Sequence, residues 1–147
     1  MHHSKKPMII ILAAALLIAA APMAAQIAGN WEGTGTGSCY PANGIIIYPW
    51  QTWQGEIPNA QNVFKGEWQG SDGNHGIFKS KILWISVTTA IATGSWYWYD
   101  PTGVAEPVYG GDFKMKFEYA SDACTGTWTT IWPSSSNVGT MTGWKVN

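Results

Sequence analysis

Arginine is missing from the chain altogether. Arginine is the preferred bidentate reader of phosphate and of guanine, and no lysine run stands in for it, so nucleic-acid binding is a poor fit. Leucine is almost as scarce: after residue 25, Leu83 is the only one. With few strong helix formers left among Val, Ile, Thr, Tyr, Phe and Trp, strands are favoured and almost no helix is expected. Histidine beyond residue 25 is limited to His75 in a Gly-rich turn. A three-histidine metal site is therefore impossible. A Ser-His-Asp triad would need His75, and no serine sits in a nucleophile-elbow context. The loop acids Asp72 and Asp122 lack the ligand spacing of a calcium loop. Neither metal nor cofactor is expected.

Cysteine occurs only as Cys39 and Cys124, without a CxxC pair, which argues against zinc or redox chemistry. In an exported chain an even count points to one disulfide. Joining Cys39 to Cys124 would close a long loop, worth roughly 4–5 kcal/mol in the chain-entropy model.

Export is read from the N-terminus. Lys5 and Lys6 precede an apolar run from Met8 to Ala21, and small residues follow at Ala24 and Ala25. That order is a secretory signal peptide over 1–25, cleaved near Ala25–Gln26. The run is too short for a comfortable span of about 20 residues. The expected product is a secreted or periplasmic single domain, 26–147, with no membrane span after cleavage. It carries six lysines against nine acids, a net charge of −3.

What this domain has in abundance is glycine and rings: 17 glycines and ten tryptophans, all after residue 25. Six times a glycine is followed two residues later by a ring, at Gly29/Trp31, Gly66/Trp68, Gly76/Phe78, Gly94/Trp96, Gly111/Phe113 and Gly126/Trp128. Residues i and i+2 share a face of a strand, so a ring can cover its own glycine or one in the next strand. Repeated, this predicts a small, sharply curved antiparallel sheet. Alternation marks strands near 31–36, 45–50, 52–57, 63–69, 77–87, 93–99, 112–119, 124–132 and 139–146. The fold class is all-β: about eight strands in a meander closed into a barrel, or a compact sandwich. In the strand 112–119, Phe113, Met115, Phe117 and Tyr119 are expected inside, with Asp112, Lys114, Lys116 and Glu118 outside. In 77–87 the polar Lys79 and Lys81 give way on one parity to Leu83, Ile85 and Val87. That change predicts a bulge, or a passage into a covered region. An outer-membrane barrel is disfavoured because most of these strands are shorter than the roughly 9–11 residues such barrels use.

Gly29-Asn30-Trp31 resembles the Gly-x-Trp opening of the lipocalin and avidin-like barrels, the calycin group. The resemblance implies a tryptophan closing one end of a barrel that holds a small ligand in its mouth. Phe64-Lys65-Gly66-Glu67-Trp68, continuing to Phe78, looks like one MORN hairpin repeat. No copy stands at the tandem offset, so it is read as a convergent hairpin.

Twenty rings exceed the ten or twelve that a core of this size holds. Trp96-Tyr97-Trp98-Tyr99 and the segment Tyr48 to Trp53 carry rings on both faces. Rings among Asn, Gln, Asp and Thr are what sugar recognition requires. Trp50, Trp53, Trp96, Tyr97, Trp98 and Tyr99 are therefore the candidate ligand-binding residues of a non-catalytic protein that binds a glycan or a small molecule. Two alternatives stand beside it. One is a structural subunit of an extracellular assembly, self-associating through strand edges and surface rings. The other is a small glycoside hydrolase using Glu56, Glu67 or Asp112, which requires those acids to face a polar barrel interior.

Overall fold

The computed structural model describes residues 26–41, 44–103 and 106–147; the segment 1–25, expected to be a signal peptide, lies outside the described residues. Eight antiparallel strands follow in chain order: β1 (Gly29–Gly35), β2 (Thr52–Ile57), β3 (Val63–Gln69), β4 (His75–Trp84), β5 (Thr89–Trp98), β6 (Val108–Glu118), β7 (Ala123–Ile131) and β8 (Ser134–Lys145). Each pairs with the next, and β1 pairs with β8, so the meander closes into a barrel. Closure leaves no free strand edge among the eight, and edge-to-edge pairing is removed as a basis for assembly.

Parity decides what faces inward. Trp31, Trp53, Phe64, Trp68, Phe78, Trp96, Trp98, Phe113, Met115, Phe117, Trp128 and Met141 are buried and fill the interior. Their strand neighbours, mainly Thr, Lys, Glu and Gln, cover the outside. This is the reverse of a barrel whose outer band faces lipid.

Glycine lets such large rings close so narrow a barrel. Trp53 lies across Gly33 and Gly143, Trp68 across Gly76, Trp96 across Gly110 and Trp128 across Gly139. In each case the covered glycine belongs to another strand, so the rescue works between strands and not along one. The buried indoles also need partners for their N–H groups. Trp31 donates to the Ile27 carbonyl at 2.8 Å, Trp68 to Tyr97 at 2.9 Å, Trp96 to Thr129 at 2.8 Å and Trp128 to Thr36 at 2.9 Å.

Both ends are covered. At one, Trp31 packs edge-on against Phe117 at 4.8 Å and is capped by Ile27. At the other, the β1–β2 connection folds inward. The expected strand at 45–50 does not form; only an isolated bridge between Cys39 and Ile47 remains. Pro49 interrupts the run, and Trp50 plugs the barrel between Phe78 (4.8 Å) and Phe113 (5.0 Å). Trp50 adopts a left-handed φ of 66°. Such a conformation costs a non-glycine residue on the order of 1–2 kcal/mol. Trp50 is also the one buried tryptophan among the described residues whose indole N–H finds no partner, so burial of its ring works against both costs.

The expected disulfide is not formed. Cys39 and Cys124 are buried free thiols. Cys39 lies beside Thr130, near the end of β7, whereas Cys124 is the second residue of that strand. Six residues of strand separate the two positions by roughly 20 Å. A disulfide needs Cα atoms within about 7 Å. Burial pushes the Cys39 thiol up to about 11 and the Cys124 thiol up to about 12, so neither supplies much thiolate near neutrality. The native protein should therefore react only slowly with Ellman's reagent at pH 8, and denaturant should release two thiols per chain. A count of zero after unfolding would restore the bridge.

Candidate functional site

The tryptophans among the candidate ligand residues are core. Trp50, Trp53, Trp96 and Trp98 are 0%, 3%, 0% and 2% exposed. As the barrel stands they reach no ligand in solvent, either on the surface or in an open mouth. Only Tyr97 of β5 and Tyr99 just beyond its end, both on the opposite parity, are partly exposed.

A third ring joins them. The β5–β6 register runs Ser95↔Asp112 and Trp96↔Gly111, then shifts to Tyr97↔Tyr109. Gly110 is the extra residue of a β-bulge. Without it, alternation from Asp112 would turn Tyr109 inward; with it, Tyr109 stands beside Tyr97 on the outer face. Gly110 also gives the room that the Trp96 indole occupies, so the core ring beneath fixes the bulge above. The signal was present in Tyr109-Gly110-Gly111-Asp112, but a bulge depends on the partner strand and is not readable from one strand alone.

The resulting platform has a polar border. The Tyr97 and Tyr109 rings lie 6.1 Å apart at 70°. Lys79 Nζ is 5.1 Å from the centre of the Tyr97 ring, within cation–π range. The Tyr109 hydroxyl donates to Asp112 Oδ1 at 2.7 Å, and Ser95 Oγ donates to the same oxygen at 3.1 Å. The hydrogen bond to Asp112 pushes the Tyr109 phenol up to about 12, so it stays protonated and donating throughout the neutral range. At the barrel end, His75 and Tyr99 form a second ring pair at 5.0 Å and 32°.

The three candidate acids, Glu56, Glu67 and Asp112, are exposed and all face outward. Asp112 belongs to the platform. Glu56 and Glu67 line an outer groove on β1–β4 with Glu32, Gln54 and Lys65. The polar interior that the hydrolase reading required is occupied by rings. No cluster of His, Cys, Asp and Glu able to hold a metal is found among the described residues.

Comparison of the chain with protein-family models, with curated proteins and with solved structures finds no match.

Proposed function

We propose that this is an exported, non-catalytic binding protein that holds a glycan on the outer face of β4–β6. The observation that carries the reading is the Gly110 bulge, which sets Tyr109 beside Tyr97 and brings Asp112, Ser95 and Lys79 to their border. A pyranose presents CH groups on its faces and hydroxyls around its rim. The tyrosine rings match the first, and the second Asp112 oxygen and the lysine match the second. The Gly-x-Trp opening and the closed eight-strand meander favour a calycin-type barrel. In this reading the ligand has moved from mouth to wall, because Trp50 and its neighbours fill the space a calycin ligand would take.

Calorimetric titration against soluble oligosaccharides and polysaccharides tests it. Tyr97→Ala and Tyr109→Ala should each weaken binding about tenfold, as removal of an aromatic hot spot does. The melting temperature should stay within a few degrees of wild type. Trp144→Ala removes an exposed ring from β8 and should leave binding unchanged. Failure of every glycan class to bind the wild type, or equal binding by the tyrosine variants, would refute the platform.

A further inference from the structure

The β4–β5 hairpin ends in side chains that the core does not use. The outward parity of Lys79 and Lys81 continues through Leu83, Ile85 and Val87, and no element among the described residues covers them. Leu83 is 70% exposed, Ile85 58% and Val87 85%. Thus the one leucine among the described residues points into solvent. The backbone holding these chains out is fixed. The Ile85 and Ser86 amides donate to the Thr89 carbonyl at 3.0 and 3.3 Å, and Ser86 Oγ accepts from the Thr88 and Thr89 amides at 3.2 and 3.1 Å. The Tyr119 amide donates to the Thr88 carbonyl at 3.0 Å and ties the hairpin to the β6–β7 connection.

Behind the tip, the same face is basic. Register places Lys81, Thr93 and Lys114 in one row, and Leu83, Ile91 and Lys116 in the next. Lys79 stands one row further back, in register with Ser95 and, one strand beyond, with Asp112, which Tyr109 and Ser95 already engage. Lys116 is paired with Glu118 at 3.0 Å, the one ion pair found among the described residues. Lys81 and Lys114 have no carboxylate in their row.

We infer that this hairpin docks the protein onto an anionic lipid surface. The aliphatic chains enter the boundary between headgroups and acyl chains, and Lys81 and Lys114 meet the lipid phosphates. The tip's composition selects lipid over protein. Protein hot spots are rich in Trp, Tyr and Arg, and poor in Leu and Val. The exposed apolar chains of this tip are all aliphatic, which suits a fluid phase without fixed shape. A second copy docked by the tip alone would fall well short of the roughly 800 Å² per partner that a stable interface buries.

The barrel draws its described core and every strand from Ile27 onward, so residues 26–147 carry the fold and are the protein to use. Flotation would be measured with phosphatidylcholine vesicles and with vesicles of phosphatidylcholine and phosphatidylglycerol. Wild type should float with the anionic vesicles and do so less as salt is raised. Leu83→Ser combined with Val87→Ser should reduce flotation about tenfold or more, as loss of buried apolar side chains implies. Lys81→Gln combined with Lys114→Gln should reduce it about tenfold on anionic vesicles alone. Val87→Trp should retain flotation, with blue-shifted emission from its added indole on anionic vesicles. Three results would overturn the inference: wild type remaining soluble with both vesicles, serine variants floating like wild type, or a lipid-free dimer that the serine variants abolish. The last would assign the tip to a second copy.

Discussion

Trp98→Ala should lower the free energy of unfolding by about 3–5 kcal/mol, the usual cost of truncating a buried large ring. Tyr97→Ala, one residue earlier in the same strand, should change it by no more than about 0.5–1 kcal/mol. Trp98 faces the interior, packs edge-on against Trp132 at 5.8 Å and donates its indole N–H to Asn74 Oδ1 at 3.2 Å. Truncation would leave a void lined by rings and a polar amide without its donor. Tyr97 lies half-buried on the outer face, where its ring meets Tyr109 and Lys79 and stands across from Ile77 of β4, and these surface side chains are free to re-solvate. Against a total stability of about 5–15 kcal/mol for a domain of this size, the first loss is large and the second marginal. Denaturant unfolding followed by far-UV circular dichroism would measure both. Equal costs would mean that Tyr97 is also core, and the glycan platform would fail with it.

This contrast marks what one strand of sequence can and cannot say. Alternation in Trp96-Tyr97-Trp98-Tyr99 separates two sets of rings but does not state which set faces in. The side-chain chemistry does. None of the six tyrosines is buried, while all four phenylalanines and seven of the ten tryptophans are. An indole N–H can reach a strand carbonyl from inside the barrel, as Trp68 and Trp128 do, whereas a phenol is most easily satisfied outside. Read by that rule, Tyr97 and Tyr99 separate from Trp96 and Trp98 without a structure. In β6 the parity was legible outright, because Asp112, Lys114 and Lys116 carry charge that Phe113, Met115 and Phe117 do not.

Other features rest on distant partners and stayed hidden. The Gly110 bulge exists only relative to β5. The separation of Cys39 from Cys124 follows from the β1–β2 connection crossing one barrel end, while β7 starts at the other. Leu83, Ile85 and Val87 read as a bulge or as a covered stretch because apolar residues usually are covered, and local sequence does not reveal that no described element packs over them. Trp50 stands among the candidate ligand residues because the segment Tyr48 to Trp53 carries rings on both faces. Its burial follows from the connection folding into the barrel.

Gly33→Ala should be among the most damaging single-atom additions available to this fold, costing about 3 kcal/mol, at the upper end of ordinary overpacking or above it. Gly33 of β1 is the register partner of Gly143 in β8, at the seam that closes the barrel. The Trp53 indole lies across both. A methyl group on Gly33 would stand 2.5 Å from Trp53 Cζ2, 2.7 Å from the Gly143 Cα, and against the Thr142 carbonyl. The ring cannot retreat, because its other side meets Phe64 at 5.9 Å and Phe78 at 6.4 Å. The seam would have to open instead. Gly103→Ala is the control. Its added methyl would meet only the flexible Asp100 side chain, at 3.3 Å or beyond, and should change stability by no more than about 0.5 kcal/mol. A double-mutant cycle isolates the cause. In a Trp53→Leu background the smaller side chain vacates the space over Gly33, so Gly33→Ala should cost at least about 1 kcal/mol less than in wild type. Strict additivity would place the damage in the Thr142 carbonyl contact, and cross-strand covering of glycine by Trp53 would no longer account for closure at this seam.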